Sequence, residues 1–168
     1  MRLSIDTCTE KIGRTTSWLT LAMVLFGAFN AIARYLGRSL GMHLSSNLYI
    51  ELQWYLFSAI FLLGGAYTLK MDEHVRVDVI YSRFSERTKM WLDLVGTLAF
   101  LMPFCVLMIW VTVPAAYASW AEWEQSNDPG GLPRYPIKTL VPLAFVLLIL
   151  QGFSNVLKLI RKLRDKDA

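Results

Sequence analysis

The stretch of this sequence richest in reactive side chains is KMDEHVRVD, residues 70–78, which lies between two apolar stretches. Asp72, Glu73, His74 and Asp78 are the residue types of a metal or acid/base site, and His74 and Asp78 share a helical face at i and i+4. The set lacks the ligand combination of a recognisable metal site, so we expect no metal and no cofactor. A nucleic-acid patch and a charged joint between membrane helices remain as interpretations.

The other residues that carry catalysis are sparse and isolated. The two histidines, His43 and His74, do not form the opposed pair within apolar helices that a b-type haem needs. Cys8 and Cys105 are expected at very different depths, which rules out a disulfide between them, and neither has a nucleophile setting. Phosphate-binding glycine loops and serine nucleophile elbows are missing as well. The sequence predicts a protein that is not an enzyme.

The elements that must position these residues are apolar runs about as long as a bilayer is thick. The chain is 55% hydrophobic and 18% charged, and the runs at residues 18–32, 52–69, 94–121 and 139–157 contain no Asp, Glu, Lys, Arg or His. Extended to their flanks, they predict transmembrane helices at about 18–36, 49–69, 88–121 and 137–160. The sequence therefore predicts an all-α integral membrane protein with four transmembrane helices in a single domain, residues 1–168.

Two features of these runs concern their shape and packing. The third run would extend about 42 Å as a helix, against a hydrocarbon core of about 30 Å, so we expect it to tilt or project, with Pro103 and Pro114 as candidate kinks. Small residues are expected to allow close approach between helices, namely Gly64, Gly65, Gly96 and Gly152.

The distribution of basic residues predicts the topology. Arg34, Arg38, Arg134 and Lys138 fall on one side of a four-helix arrangement, and the remaining thirteen of the 17 Lys and Arg residues fall on the other. Because short cytoplasmic segments retain basic residues, both termini and residues 70–78 are expected in the cytoplasm. Topology and lipid headgroups then account for the basic net charge without a nucleic-acid partner.

A cleavable signal peptide is the rival interpretation of the first run, with Ala31-Ile32-Ala33 as its cleavage site. Asp6 and Glu10 dilute the positive segment that should precede such a signal, so we interpret the run as a retained helix.

Residues 74–85 form neither a clean span nor a plain loop. Val75, Val79 and Phe84 fall mostly on one helical face, which predicts a short amphipathic helix in the inner interface, although the Val-x-Val alternation also fits a strand. Ser85 is expected to cap the following helix, in which Asp93 lies four residues after Lys89 and within reach of a salt bridge.

The connection on the opposite side, WAEWEQSNDPGGLPRYPIK, is rich in turn residues and in acidic residues. Its carboxylates, Glu122, Glu124 and Asp128, are either a solvated surface or a periplasmic docking rim for a soluble partner. Pro136 is expected in the first turn of the fourth helix.

The spans lack the ionisable residues that an ion-coupled carrier places at mid-membrane. Gln151 and Asn155 share a face at i and i+4, a pattern more typical of hydrogen bonds between helices than of substrate binding. A small multidrug carrier, the obvious four-helix alternative, would show an acidic residue in its first span, so an accessory role is favoured.

Four segments together resemble the small membrane subunit of tripartite ATP-independent periplasmic (TRAP) transporters. They are Glu51-Leu52-Gln53-Trp54 leading into FLLGGAYTL, then HVRVDVIYSRFS, then DLVGTLAFLMPFCVLMIW, and finally VPLAFVLLILQGF. The His-Val-Arg-Val-Asp run is the most specific of these, and Asp72 and Glu73 depart from the less acidic pair expected before it.

The resemblance implies an accessory subunit in the bacterial inner membrane. It implies a large multi-span permease subunit as partner, transient contact with a periplasmic substrate-binding protein, and sodium-coupled uptake of an organic acid whose sites lie on the large subunit. Contacts with that subunit or with membrane lipids are expected at Lys70, His74, Arg76, Asp78, Glu51, Trp54 and Gln151. An independent small four-helix carrier or a membrane assembly factor is the alternative.

Overall fold

The structure, a computed structural model, describes residues 4–41, 46–72, 81 and 83–167, with side chains described as far as residue 164. The helices are α1 (Ser4–Leu40), α2 (Asn47–Met71), α3 (Glu86–Gly96), α4 (Met102–Ala121) and α5 (Tyr135–Asp167). A π-helical turn, Thr97–Leu101, joins α3 to α4, so that Glu86–Ala121 is one continuous rod. Within these residues there are no strands, and four helices are long and apolar enough to cross a membrane, which confirms the predicted all-α fold.

The four spans form a layer in which α5 is the central helix. Helix α2 packs between α1 and α5, and the α3–α4 rod packs on α5. In its most apolar window α5 has 28% of residues buried within the chain, against 6–11% in the other three spans. Most apolar side chains of α1 and α4 therefore point away from the chain, as expected of surfaces covered by lipid or by another membrane subunit.

Helices α1 and α2 run antiparallel in a constant register. Glu10 lies beside Lys70 at one end, and the rings of Phe29 and Tyr49 meet at the other, with centroids 5.2 Å apart. Between them, Gly13 is essential to the close approach, because a Cβ there would lie 2.4 Å from the ring of Tyr67. At 37 residues α1 is about 55 Å long, so it must tilt or project beyond the hydrocarbon core.

The rod made by α3 and α4 begins at the predicted cap and contains a π-helical turn near Pro103, whereas kinks at Pro103 and Pro114 stay predictions. The Ser85 side chain accepts a hydrogen bond from the Thr88 N–H at 3.2 Å, which confirms the predicted N-cap. The π-helical turn ends two residues before Pro103, which lacks an N–H and would clash with the carbonyl four residues earlier in an α-helix. The widened turn removes that conflict, and the Met102 N–H instead reaches the Thr97 carbonyl.

Two of the four glycines expected at helix contacts do not pack in this way. A Cβ on Gly152 would lie 3.2 Å from Met102 and one on Gly65 would lie 4.0 Å from Leu148, but Gly64 and Gly96 have nothing within 4 Å in the described part of the chain. Gly64 and Gly96 therefore make no close helix contact within the described chain, and a close approach by a helix of another subunit at these positions stays a prediction.

Several other predictions can be compared with the structure only in part. Pro136 lies in the first turn of α5, as expected. Lys89 pairs with Glu86 at 2.8 Å, and Asp93 accepts a hydrogen bond from the Tyr81 hydroxyl at 2.9 Å. Most of the predicted interfacial helix at 74–85 lies outside the described residues, and that helix and the cytoplasmic position of both termini stay predictions.

Candidate functional site: polar clusters at the two ends of the helices

One end of the layer, which we call the termini side, contains Asp6 of α1 and the C-terminal ends of α2 and α5. Asp6 lies in the first turn of α1 and is only 2% exposed. Its Oδ1 accepts hydrogen bonds from the Lys158 ammonium at 2.7 Å, the Ser154 hydroxyl at 2.8 Å and the Gln151 amide at 3.2 Å. These donors lie at i, i+3 and i+7 on α5, so one helical face presents all three. A carboxylate buried to this degree needs such compensation.

The same cluster continues to the other two helices. The Thr9 hydroxyl of α1 donates to the Gln151 side-chain oxygen at 2.8 Å, and the Asn155 amide donates to the Leu69 carbonyl of α2 at 3.1 Å. The Gln151 amide also donates to the Asn155 side-chain oxygen at 3.1 Å. The interpretation of Gln151 and Asn155 as residues that hydrogen-bond between helices is therefore confirmed.

Lys70, one of the predicted contact residues, belongs to this cluster. Its ammonium lies 2.9 Å from a carboxylate oxygen of Glu10, and its side chain is only 15% exposed. Helix α2 ends just beyond it at Asp72, whose backbone adopts the left-handed conformation (φ 60°, ψ 30°) that Asp tolerates better than most residues. Two ion pairs, Asp6–Lys158 and Glu10–Lys70, thus tie α1 to both α5 and α2.

A cleft of about 420 Å³ opens beside this cluster, between the C-terminal ends of α2 and α3 and residues 155–162 of α5. The cleft is lined by Lys70 of α2, by Lys158 and Lys162 of α5, and by the carboxylates of Asp72 and Asp93. Positive and negative side chains are nearly balanced, with three lysines and two aspartates. The cleft is therefore polar and mixed in charge, without the single-sign field that would favour a charged substrate.

The other end of the layer, which we call the loop side, contains residues 46–51 and 122–134. Glu51, in the first turns of α2, is 2% exposed, and its two carboxylate oxygens accept hydrogen bonds from the Ser126 hydroxyl and the Leu132 N–H. Gly131 permits this contact, because a Cβ there would lie 2.6 Å from the Glu51 oxygens. Glu51 therefore holds the connection between α4 and α5 onto the start of α2.

A second carboxylate orders the same connection. Glu124 accepts hydrogen bonds from the Lys138 ammonium and, at 2.6 Å, from the Ser119 hydroxyl. The hydrogen bond from Lys138, followed by that from Ser119, lowers the pKa of Glu124 below its ordinary value of 4.5. Beside it the Trp120 ring packs on Tyr135, with centroids 4.4 Å apart, and its indole N–H donates to the Thr139 hydroxyl at 2.8 Å.

The predicted contact residues do not converge on one site. Lys70 and Gln151 lie in the termini-side cluster, where Gln151 has no exposed surface, whereas Glu51 lies on the loop side. The ring of Trp54 is near that of Tyr55, with centroids 4.5 Å apart. His74, Arg76 and Asp78 lie outside the described residues. The contacts assigned to all seven stay predictions.

The three residues of the predicted docking rim differ in their surroundings. Glu122 and Asp128 are exposed, and Glu124 is partly buried in its ion pair with Lys138. Their role in docking also stays a prediction.

Asp6 is the residue that the sequence analysis missed, because the segment before the first apolar run was treated as a tail. A signal was present in the spacing. Asp6, Thr9, Gly13 and Thr16 recur at helical intervals, and all four are buried in the structure. A polar stripe of this kind predicts a helix that faces other polar groups rather than lipid.

The clusters offer packing and hydrogen bonding rather than reaction chemistry. Within the described part of the chain, no group of three His, Cys, Asp or Glu side chains is placed to hold a metal ion. Cys8 is exposed and Cys105 is buried, and both are free thiols.

Comparison with protein families decides between the remaining interpretations of these helices. Residues 23–162 match the family described as tripartite ATP-independent periplasmic transporters, DctQ component. The chain belongs to this family. It is therefore the small permease subunit of a TRAP transporter, and it is a transport component rather than an enzyme. A comparison with curated proteins found no match.

The range of the family match shows which residues of the two polar clusters lie in the part of the chain that the family shares. Glu51 of α2 and residues 151–158 of α5 fall within the matched residues, whereas Asp6, Thr9 and Gly13 precede them. The termini-side cluster therefore joins the start of the chain to the part that the family shares. TRAP small subunits work with a large permease subunit and a substrate-binding protein.

Proposed function

We propose that this small TRAP subunit acts as a static brace for the large permease subunit during sodium-coupled uptake of an organic acid. The brace lies in the bacterial inner membrane with both termini in the cytoplasm. The periplasmic binding protein delivers the substrate, and the large subunit binds and moves both substrate and sodium. In this proposal the small chain widens the stationary part of the complex, so that the mobile part moves relative to the bilayer.

The observation that supports a bracing role is the locking of the helices to one another at both ends. Asp6 and Lys158 tie α1 to α5 on the termini side, and Glu51 ties α2 to the connection before α5 on the loop side. Polar contacts at both ends of the helices restrict their relative sliding and rotation more than contacts at one end do. Buried groups used in this way are satisfied within the chain and are not offered to a substrate.

The exposed surfaces of the layer are the expected contacts with the partners. The apolar faces of α1 and α4 are available to the large subunit and to lipid, and Arg76 with its neighbours is proposed to hold the inner connection to that subunit or to headgroups. On the loop side, Glu122 and Asp128 are proposed to meet the binding protein transiently, because charged rims increase the rate of association.

Vesicle transport tests the bracing role directly. The large subunit is reconstituted with and without this chain, the binding protein is added outside, and a sodium gradient drives uptake of a labelled dicarboxylate or sugar acid as probe. We expect uptake to require the small chain, and we expect the small chain alone to transport nothing. Uptake by the large subunit alone at the full rate would refute the brace.

A co-purification experiment tests the contact at the inner connection. Arg76→Ala is expected to reduce the amount of large subunit recovered with the tagged small chain in mild detergent. The matched control is Arg83→Ala, an exposed arginine a short distance along the chain, which should leave recovery unchanged. Equal recovery for both variants would remove Arg76 from the interface while leaving the uptake result to stand or fall separately.

A further inference from the structure

A second cavity, on the loop side, is apolar and open at the surface of the helices. It has a volume of about 340 Å³ and lies between α1, α2 and the start of α5, with Leu19, Leu52, Tyr55, Ala59, Pro136 and Leu140 among its lining residues. From Leu52 to Ala59 it follows α2 for about 10 Å, at about 1.5 Å per residue, so its long axis runs roughly along the helices. We call this cavity the Tyr55 groove.

Two unsatisfied polar atoms lie at or near the loop-side end of the Tyr55 groove. The Tyr55 hydroxyl and the Arg134 Nε are both buried, and neither has a hydrogen-bond partner among the groups that the structure describes. Arg134 comes two residues before Pro136, which lines the groove, and its own backbone N–H is fixed by the Glu124 carbonyl at 2.8 Å. Buried donors without partners are rare in proteins, so each is expected to donate to an acceptor supplied by water or by a bound ligand.

We propose that the Tyr55 groove holds one phospholipid. An acyl chain occupies the apolar length of the groove toward Leu19, the Tyr55 hydroxyl donates to an ester carbonyl, and the phosphate lies at Arg134. The Tyr55 hydroxyl and the neighbouring Arg134 guanidinium both lie toward the loop-side end, and the rest of the lining is apolar, which matches an amphiphile with a single polar end. A guanidinium is also the side chain best suited to a phosphate, since its fork of donors matches two phosphate oxygens.

The nearby carboxylates do not remove the need for that acceptor. Glu51 accepts from the Ser126 hydroxyl and the Leu132 N–H, and Glu124 accepts from Lys138. Each of these acidic groups is engaged in holding the connection, so a phosphate supplies the remaining acceptor near Arg134. An apolar helix of the large subunit would fill the groove but would leave the two donors unsatisfied.

Lipid binding to the purified, delipidated full chain tests this proposal. Native mass spectrometry counts the molecules bound when the chain is titrated with dioleoyl phosphatidylglycerol, with dioleoylglycerol, which has the chains but no phosphate, or with glycerol phosphate, which has no chains. We expect one tightly bound phosphatidylglycerol per chain, binding of dioleoylglycerol on the order of tenfold weaker, and no binding of glycerol phosphate at the same concentrations.

Variants at the two ends of the groove locate the bound lipid. Arg134→Gln should weaken phosphatidylglycerol binding on the order of tenfold, and Ala59→Phe should abolish it by filling the groove. The matched controls are Arg38→Gln, another arginine on the loop side, and Val113→Phe on the exposed face of α4. If Ala59→Phe fails to fold, Arg134→Gln with Tyr55→Phe still decides the question.

Two results would overturn the proposal. Equal lipid binding by Arg134→Gln, Tyr55→Phe and the two controls would mean that the retained lipid is a general annulus rather than an occupant of the groove. Loss of the large subunit from the complex in Ala59→Phe, with lipid binding by the isolated chain unchanged, would assign the groove to a partner helix. Neither result bears on whether the small chain is needed for uptake.

Discussion

The ion pair between Asp6 and Lys158 offers the sharpest test of how the helices are held together. Asp6 is 2% exposed, whereas the Lys158 side chain is 35% exposed and can reach water if its partner is lost. Replacing Lys158 with Met removes the ammonium from a buried carboxylate that still accepts hydrogen bonds from Ser154 and Gln151. Removal of one member of a buried pair usually costs about 3–5 kcal/mol, and the remaining donors should reduce this to about 2–3 kcal/mol.

The reverse substitution should cost less. Asp6→Asn keeps the size of the side chain and one acceptor oxygen, and the orphaned Lys158 is partly solvated, so we expect a loss of about 1–2 kcal/mol in the free energy of unfolding. The double variant, Asp6→Asn with Lys158→Met, removes both charges together. It should cost less than the sum of the single variants, with a coupling energy of about 1 kcal/mol or more.

Reversible unfolding in mixed detergent micelles measures the four free energies of this double-mutant cycle. Arg14→Met provides the control, because Arg14 pairs with Glu10 across the α1 surface at 3.3 Å with a side chain that is 79% exposed, and such pairs contribute about 0–0.5 kcal/mol. A coupling energy below about 0.5 kcal/mol, indistinguishable from strict additivity, would refute the view that Asp6 is held by Lys158 in the folded chain.

Three further predictions concern a glycine, a cap and a carboxylate. Gly13→Ala should destabilise the chain and Gly64→Ala should not, because a Cβ at position 13 would lie 2.4 Å from the Tyr67 ring while position 64 is open; thermal unfolding in detergent compares the two. Ser85→Ala should lower the free energy of unfolding by about 1 kcal/mol through loss of the cap on α3, measured in the same micelles. The pKa of Glu124 is lowered below 4.5, so its stabilising contact with the neighbouring lysine is present above that pH and is lost as pH falls through the folded-state pKa. Tryptophan fluorescence should therefore stay constant from neutral pH to about 4.5 and change only below it.

Each of these predictions has a clear contrary outcome. If Gly64→Ala costs as much as Gly13→Ala, the cost arises from the helix itself and not from the contact with α2. Ser85→Thr retains a capping hydroxyl and should behave like the parent chain. For Glu124, the fluorescence change should vanish in Glu124→Gln and persist in Glu122→Gln, whose carboxylate is exposed.

Several features could be predicted from sequence because they depend only on the length of apolar segments or on residues close together along the chain. A helix is the only single segment that satisfies its own backbone hydrogen bonds in hydrocarbon, so the length of the apolar runs alone indicates four helices. The cap at Ser85 and the disturbed turn before Pro103 are equally local, since each depends on residues within one or two helical turns. The helical spacing of Gln151 and Asn155 likewise indicates a shared polar face.

Features that depend on which helices face each other could not be predicted in this way. Glycines at 13 and 152 lie against neighbouring side chains while those at 64 and 96 do not, and nothing in the local sequence distinguishes the two groups. The partner of Glu51 is eighty-one residues away in the connection before α5, and helix periodicity carries no information about such a pairing.

The sequence by itself predicted a four-helix membrane protein through composition and apolar length, and four of its segments resembled the small subunit of TRAP transporters, the family to which the chain belongs. Only the tertiary structure decided that Asp6 is a buried residue joined to Lys158, and that an apolar groove ends beside two unsatisfied donors. The physical reason is that burial and hydrogen bonding between residues more than a hundred positions apart arise from the arrangement of the helices. That arrangement depends on side-chain packing across several helices at once, and no single segment encodes it.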